Sequence, residues 1–257
     1  MTNNIDKQRS IKNWTDSHKI SLIIPCYNEF HRINLLVNGL QEWAKGWTGK
    51  SEIIIVDDGS SDATSDAIHQ NKEIQKIQDS IPVKIISYEV NRGKGYALKQ
   101  GMEAASGDFI LTLDADMSAR PLALLKWLTL LNHPFTDHTI YIGSREDPES
   151  QVKDRQGRRI AGRTFNFIIR VLTPLKMHDT QCGFKLYPKP IAKNLFRSLQ
   201  TIGWAHDVEI LYRALQNQIE IVSLPLNYKV EQGTKINMLK DSYLMFLQVW
   251  KIRKLLR

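Results

Sequence analysis

The sequence predicts an α/β fold in which helices flank a doubly wound sheet. Over the first 145 residues, short apolar runs of strand length alternate with longer runs of helical periodicity. This alternation is typical of strand–helix–strand units with right-handed crossovers. Several apolar runs end in acidic residues, and ligands of such sheets bind at the carboxyl ends of the strands. The predicted fold therefore also indicates where a ligand site lies.

The elements follow in order along the first half of the chain. Apolar runs predict strands over residues 19–26, 51–56, 83–88, 109–113 and 139–142. Helical segments are expected from about residues 29 to 43, 62 to 78, from 96 and from 121. Pro25 has no N–H group and is expected to end the ladder of the first strand. Pro121 suits a first helical turn.

The pattern changes after residue 145, where a polar stretch precedes further helices and strands. Helices are expected over residues 159–172, 190–198, from about 206 and over 238–256, with a short strand after 184 and another over 219–226. No internal repeat or linker divides the chain. We therefore expect a main domain over residues 18–237, a flexible N-terminal tail over 1–17 and a basic amphipathic C-terminal helix over 238–257.

Composition limits the classes of protein to consider. The 257 residues can bury one large core, and 42% hydrophobic with 24% charged residues is ordinary for a globular protein. The two cysteines show no metal or redox spacing, which fits a reducing compartment. The N-terminal residues lack an apolar signal core, and no apolar stretch reaches the roughly 20 residues that span a bilayer. A soluble or membrane-peripheral protein is expected.

The net charge of +8 is concentrated in two segments. Residues 152–163 and residues 238–257 each hold five basic residues and one acidic residue. Local basicity indicates a defined anionic partner. No nucleic-acid-binding motif accompanies it, so a phosphate ligand or an anionic membrane surface is expected and nucleic acid is not.

Two pairs of carboxylates stand at predicted strand ends. The run from Phe109 to Leu113 ends in Asp114 and Asp116, and an earlier strand ends in Asp57 and Asp58. Two hard oxygen ligands with room for water and phosphate oxygens suit Mg²⁺ or Mn²⁺ holding a diphosphate. A lone D-x-D is also common in surface turns, so the interpretation of this pair as a metal site depends on the rest of the chain.

A glycine-containing loop, Asn91-Arg92-Gly93-Lys94-Gly95, follows the third predicted strand. The third glycine of a dinucleotide-binding fingerprint is replaced by Leu98, and the loop follows the wrong strand, which excludes NAD binding. Lys94 and backbone N–H groups of this loop could face a ligand, or the loop could be a simple turn. Both interpretations stay open.

Nine runs together carry a resemblance that none carries alone. They are IIPCYNE, IIIVDDGSSDAT, NRGKGYALKQGM, TLDADMSARP, IGSRE, RRIAGRTF, DTQCGFKLY, WAHDVEILYRA and PLNYKVEQGTK, in order between about residues 21 and 235. The chain resembles the family-2 glycosyltransferases of GT-A fold, and within them the dolichyl- or polyprenyl-phosphate β-glucosyltransferases. DTQCGFKLY favours the glucosyl branch over the mannosyl branch.

The resemblance implies a mixed GT-A sheet and a set of site residues. The residues implied at the nucleotide-sugar site, with Lys94 added from its loop, are Pro25, Tyr27, Glu29, Asp57, Asp58, Lys94, Asp114 and Asp116. Asp116 is expected to ligate the metal ahead of Asp114. Basic residues expected near the donor diphosphate and acceptor phosphate are Arg145, Arg159, Arg163 and Lys235. Asp207 and Glu209 match an acidic motif of the family.

The reaction implied is inverting transfer of glucose from UDP-glucose to a polyprenyl phosphate, with Asp116, Arg145 and Asp207 as the catalytic residues. The resemblance further implies Mg²⁺ or Mn²⁺. The helices expected over residues 159–172 and 238–256 could lie on the cytoplasmic face of a membrane as a peripheral contact, with core packing and a dimer interface as the alternatives. Another nucleotide sugar such as GDP-mannose, a sugar-hydroxyl acceptor with Asp207 as base, and a non-catalytic nucleotide-sugar-binding protein stay open, as does the oligomeric state. Two departures from the family pattern are Ser118, where mannosyl relatives carry a glutamine ligand, and His206, where an aromatic is usual.

Overall fold

A seven-stranded mixed sheet forms the centre of the computed structural model, which describes residues 2–131, 134–153, 166–229 and 238–256. The strands are β1 Ile20–Cys26, β2 Ser51–Asp57, β3 Val83–Ser87, β4 Phe109–Thr112, β5 Thr139–Ser144, β6 Val152–Lys153, β7 Lys185–Pro188, β8 Glu220–Pro225 and β9 Tyr228–Lys229. The sheet order is β3-β2-β1-β4-β7-β5-β8, and β6 pairs separately with β9. Only β7 runs antiparallel to its neighbours within this sheet.

The helices are α1 Thr2–Ser17, α2 Ile33–Gly46, α3 Thr64–His69, α4 Lys72–Gln78, α5 Lys94–Ala104, α6 Ala123–Leu130, α8 Lys189–Arg197, α9 His206–Gln216 and α10 Met238–Leu255. Residues 166–172 are also helical and are called α7. A short 3-10 turn, Phe30–Arg32, precedes α2. No helix in the described part of the chain is long and apolar enough to cross a membrane.

Alternate residues of the central strands supply two hydrophobic cores, one on each face of the sheet. Leu22 and Ile24 of β1 face the core that α2 and α6 cover. Ile23 faces the core to which α5, α8 and α9 contribute. This follows from the two-residue period of a strand, and it explains why strands buried on both faces are apolar throughout.

Residues 1–17 were expected to be a loose tail, but Thr2–Ser17 form α1. Trp14 is 5% exposed, and its ring lies 5.1 Å from that of Phe109 and 5.2 Å from that of Phe135. Burial of one large aromatic side chain contributes enough free energy to hold a polar helix against the core. The prediction of a tail is therefore wrong.

Two further expectations require correction. The single helix expected over residues 62–78 is divided into α3 and α4, because Asn71 accepts hydrogen bonds from the N–H groups of Glu73 and Ile74 and so caps a new helix. The β1–β2 ladder continues beyond Pro25 to the pair Cys26–Asp57. The β1–β4 ladder ends at Ile23, so Pro25 lies beyond that ladder only.

The C-terminal helix α10 packs against the core through one side. Val249, Ile252 and Leu256 are buried in the same cluster as residues of α9. The Gln248 side chain accepts a hydrogen bond from the N–H of Ala205, just before α9. On the other side Phe246 and Trp250 are 37% and 43% exposed. The helix therefore has an apolar inner side and a partly aromatic outer side.

Candidate active site

The carboxyl ends of β2, β1 and β4 lie side by side, and the chain leaves each of them through polar residues. Asp57 ends β2 opposite Cys26 of β1, and the N–H of Leu113 donates to Ile23 O, which carries β4 alongside β1. Asp114 follows directly. The structure therefore brings the predicted first, second and fourth strand ends to one edge of the sheet.

The turn after β1 is fixed by contacts with the turn after β2. Asn28 has a positive φ of 53°, and its side-chain oxygen accepts from the N–H of Ser61 at 2.7 Å. The N–H of Glu29 donates to Thr64 Oγ1 at 2.7 Å. Tyr27, at the tip of the turn, is 42% exposed, which leaves its ring available to a ligand. Pro25, by contrast, lies within β1.

Glu29 is linked to the D-x-D pair by Arg32, a residue that the sequence analysis did not select. Arg32 Nη2 lies 2.6 Å from Glu29 Oε1, and Arg32 Nη1 lies 4.0 Å from Asp116 Oδ2. Arg32 comes three residues after Glu29 in the turn before α2, where the first helical turn brings the two side chains together. This spacing was the only signal in the sequence.

Asp57 and Asp58 are both buried but have different partners. Asp57 Oδ1 accepts from the N–H and the hydroxyl of Ser60 and so closes the turn after β2. The Asp58 carboxylate accepts four hydrogen bonds, donated by the Tyr88 hydroxyl, the Asn91 amide and the N–H groups of Arg92 and Gly93. A carboxylate offers about four lone-pair sites. The side chain of Asp58 therefore holds the loop before α5.

That loop presents Lys94 to the D-x-D pair. Gly93 has a φ of +96°, and a Cβ there would lie 2.6 Å from Ile202 O, so this position requires glycine. The N–H of Gly95 donates to Ile202 O at 2.8 Å. Lys94 Nζ donates to Asp114 Oδ1 at 2.6 Å. The loop is thus more than a simple turn, because it brings a cation to the end of β4.

Asp114 and Asp116 differ in their electrostatic environment. Burial would raise the pKa of Asp114, but the Lys94 ammonium outweighs it and holds this pKa below its usual value. Burial raises the pKa of Asp116, and the charge of Asp114 raises it further. Asp116 Oδ1 accepts from the N–H of Ser118 at 2.9 Å. A pair of carboxylates that repel each other is suited to receive a cation.

Gly183, in the turn before β7, allows Asp114 to occupy its position. A Cβ at residue 183 would lie 2.4 to 2.6 Å from the Asp114 carboxylate atoms. Thr112 Oγ1 donates to Gly183 O at 2.7 Å and fixes the turn against the end of β4. The run DTQCGFKLY therefore contributes a close backbone approach to the D-x-D pair.

The residues at this edge fit a divalent cation bound together with a diphosphate. Asp114 and Asp116 supply carboxylate oxygens, and Ser118 Oγ nearby is buried without a hydrogen-bond partner in the structure. No group of three or more His, Cys, Asp or Glu side chains that could hold a metal occurs among the described residues. Mg²⁺ is commonly held by one or two carboxylates, with waters and substrate phosphates completing its coordination.

Arg145, at the end of β5, is held by Asp179, a second residue that the sequence analysis left without a role. Arg145 Nε and Nη2 donate to the two oxygens of Asp179 at 2.7 and 2.8 Å, and Asp179 is 2% exposed. The guanidinium lies 5.2 Å from the centre of the Tyr228 ring. Burial raises the pKa of Tyr228, on which the charges of Arg145, Asp114 and Asp116 also act. Arg145 therefore lies on the same side as the D-x-D pair.

The acidic pair that opens α9 divides into two environments. Asp207 is 6% exposed, and its Oδ1 accepts from Lys185 Nζ at 2.6 Å. Glu209 is fully buried and accepts from the N–H groups of Gln200 and Thr201 and from Arg213. Glu209 thus fixes the loop before α9. His206 is also buried, and burial lowers the pKa of its ring.

Three predicted phosphate-binding residues, Arg159, Arg163 and Lys235, lie outside the described residues. Of the remaining predicted residues, Pro25 lies within β1 and Asp58 holds the loop before α5, and the others form two groups. Lys94, Asp114, Asp116, Arg145 and Asp207 lie together, and Glu29 joins them through Arg32. Asp57 and Tyr27 lie at the neighbouring strand ends.

The fold agrees with comparisons to known proteins. Residues 21–196 match the family model described as glycosyl transferase family 2. The dolichyl-phosphate beta-glucosyltransferase of Dictyostelium discoideum is 32% identical over 252 residues, which cover 94% of this chain and 76% of that protein. The mouse protein of the same name is 35% identical, over 85% of this chain and 69% of that protein.

Solved structures with a similar fold include glucosyl-3-phosphoglycerate synthase from Mycobacterium tuberculosis in complex with UDP. The superposition with this enzyme has a TM-score of 0.64 at 17% sequence identity, and it covers 96% of this chain and 82% of that one. The same enzyme with Mn²⁺, UDP-glucose and glycerol 3-phosphate gives a TM-score of 0.66, at 17% identity and with coverage of 95% and 82%. The GT-A fold class predicted from the sequence is confirmed. The chain belongs to glycosyl transferase family 2, and it is a glycosyltransferase.

Proposed function

We propose that this enzyme transfers glucose from UDP-glucose to a polyprenyl phosphate such as dolichyl phosphate, with inversion to a β-linked product. The observation that carries the proposal is the pair Asp114 and Asp116 at the sheet edge, beside Lys94 and the Tyr27 turn. The names of the similar proteins supply the sugar and the acceptor, since they are dolichyl-phosphate beta-glucosyltransferases.

Asp116 and Asp114 would hold Mg²⁺ or Mn²⁺ together with the donor diphosphate. The bound cation would neutralise charge that develops on the leaving UDP. Asp116 is the stronger candidate for direct ligation, because Lys94 already occupies Asp114 Oδ1. Structures of the similar synthase contain Mn²⁺ and UDP, which supports a divalent cation at this site.

The nucleoside would lie over the ends of β1 and β2. Tyr27 is exposed there and offers a ring against which a base can stack, and the carboxylate of Asp57 can accept from an N–H or O–H donor. Glu29 acts by holding Arg32. Asp58 contributes indirectly, because its carboxylate shapes the loop that carries Lys94.

The nucleophile would be a phosphate oxygen of the acceptor. The second pKa of a phosphate monoester is about 6, so this oxygen is already largely ionised at neutral pH and no strong general base is needed. Arg145, which Asp179 orients through two hydrogen bonds, can offer its remaining N–H donors to a phosphate. Arg159, Arg163 and Lys235 are proposed to act with it.

The lipid acceptor requires contact with a membrane surface, and α10 has a suitable outer side. Phe246 and Trp250 are exposed, and the cations of Arg253 and Lys254 lie 5.9 and 5.8 Å from the Trp250 ring. Aromatic residues beside basic residues are typical of helices at an anionic interface. We propose peripheral binding to the cytoplasmic leaflet.

A panel of radiolabelled nucleotide sugars tests the donor. The purified protein is incubated with Mn²⁺, a polyprenyl phosphate and UDP-glucose, UDP-galactose or GDP-mannose, and label is counted in the lipid extract. UDP-glucose should give at least tenfold more lipid label than the others. Equal or greater label from GDP-mannose would replace the donor assignment with the mannosyl alternative.

A further inference from the structure

A fully buried lysine lies beneath the proposed donor site. Lys185 is on β7 and 1% exposed, and its Nζ donates to Asp207 Oδ1 at 2.6 Å and to Cys182 O. A buried ammonium is costly unless it is paired and hydrogen-bonded. Here the pair connects the middle of the sheet to the first turn of α9, where Asp207 also benefits from the positive end of the helix dipole.

The charges continue from this pair towards the D-x-D motif. The start of α5 packs against the start of α9, because a Cβ built at Gly95 would lie 2.8 Å from His206 Cβ. Burial would lower the pKa of Lys94, but the charges of Asp114 and then Asp207 raise it above its ordinary value. Lys94 Nζ donates to Asp114 at 2.6 Å. Lys185, Asp207, Lys94 and Asp114 therefore form a series of alternating charges in a largely buried region. The series begins at Lys185 on β7 and ends at Asp114, a predicted metal ligand.

We propose that Lys185 and Asp207 are positioning residues. In this arrangement Lys185 fixes the Asp207 carboxylate, the carboxylate charge holds Lys94, and Lys94 sets the position of Asp114 towards the donor diphosphate. The proposal rests on the proposed nucleotide-sugar site. It gives Asp207 a role other than that of a general base.

The surroundings of Asp207 argue against proton transfer. Its side chain is 8% exposed, Lys185 donates to Oδ1, and His206 Nε2 lies 3.4 Å from the same oxygen. Burial would raise the pKa of Asp207, but the charges of His206, Lys185 and Lys94 hold it below its usual value. The other titratable groups facing it are Tyr187 on β7 and Asp114. A weakly basic, buried carboxylate is suited to hold a cation in place.

Paired substitutions separate positioning from simple structural support. Lys185→Met alone leaves a buried carboxylate without its partner, so it should lower the melting temperature. The double variant Lys185→Met with Asp207→Asn keeps the net charge of the site and removes both members of the pair. Replacing a buried ion pair by neutral groups of similar volume is often close to neutral for stability. The double variant should therefore melt near wild type.

The decisive measurement is the affinity of the protein for Mn²⁺ together with UDP, determined by isothermal titration calorimetry. Loss of a residue that orients a metal ligand typically costs about 10- to 100-fold in metal affinity or activity. We expect the double variant to bind Mn²⁺ and UDP at least tenfold more weakly than wild type and to lose kcat by a similar factor. Lys189→Met, at a half-buried lysine that donates to Ser106 O, is the control and should change neither.

A double variant that binds and turns over within twofold of wild type would show that the pair only supports the fold. If that variant does not fold, a double-mutant cycle between Lys94→Met and Asp207→Asn tests the proposal, with the affinity for Mn²⁺ and UDP as the measured quantity. Our proposal requires that Asp207→Asn has little further effect once Lys94 is gone, and additive losses would contradict it. Wild-type protein that binds Mn²⁺ and UDP but transfers nothing to lipid would contradict the proposed function and leave this comparison intact.

Discussion

The placement of individual residues was predictable where they follow the end of a strand. Asp114 and Asp116 follow β4 at the sheet edge, as the end of an apolar run indicates. The partners of Asp58 could not be predicted, because they come from Tyr88 and a loop about 34 residues later, placed by the tertiary fold. The role of Asp179 as the partner of Arg145 could not be predicted for the same reason, since the two residues are distant in sequence.

Gly183→Ala tests the close approach of the turn before β7 to Asp114. The added Cβ would meet the carboxylate at 2.4 to 2.6 Å, so Asp114 must move. We expect turnover to fall by about tenfold or more, as for loss of a group that orients a metal ligand, with little change in melting temperature. Gly46→Ala is the control, because its Cβ meets only the flexible end of Leu122. Equal activity of both variants would contradict the role given to Gly183.

At the scale of elements, hydrophobic periodicity predicted most strands and helices but not every boundary. α1 was missed because it is polar overall and depends on tertiary contacts of Trp14. The division between α3 and α4 depends on a cap at Asn71, inside a run of continuous helical character. The antiparallel direction of β7 has no sequence signal of its own, because the short segment Lys185–Pro188 carries no pattern that distinguishes a parallel from an antiparallel neighbour.

The outer side of α10 yields a prediction at the same scale. Phe246→Ser together with Trp250→Ser should reduce flotation of the protein with vesicles of phosphatidylserine and phosphatidylcholine by at least fivefold at low salt. The inner residues Val249 and Ile252 stay in place, so the fold should be kept. Leu130→Ser is the control. Leu130 is an exposed apolar residue of α6, a helix that packs on the other face of the sheet from α10. Flotation unchanged by the double substitution would exclude this helix as the membrane contact.

Across the whole molecule, the candidate site and a buried, hydrogen-bonded carboxylate lie at opposite ends of the strands. The site lies at the carboxyl ends of β1, β2 and β4. Near the other ends, the Glu52 carboxylate is 3% exposed and accepts from Ser21 Oγ, from the N–H of Ser106 and from Lys19 Nζ. Burial would raise the pKa of Glu52, but these hydrogen bonds lower it to about 2.

Glu52→Gln should therefore destabilise the fold in a pH-dependent manner. Because the folded pKa lies below the unfolded value of about 4.3, ionised Glu52 stabilises the fold above that pH, and the contribution is lost as pH falls towards 2. Urea unfolding should show a loss of about 1–3 kcal/mol at pH 7 that shrinks by pH 3. Glu73→Gln, at an exposed pair with Lys76, should change little. A loss independent of pH would contradict this account.

We propose that the D-x-D edge of the sheet transfers a glucosyl group to a phosphate. The most direct measurement follows radiolabelled UDP-glucose with wild-type protein and Asp116→Asn, on polyprenyl phosphate and on the corresponding polyprenol. We expect labelled lipid only for wild-type protein with the phosphate, and loss of at least 99% of the rate in the variant. Comparable transfer to the polyprenol, or a near-normal rate for Asp116→Asn, would contradict it.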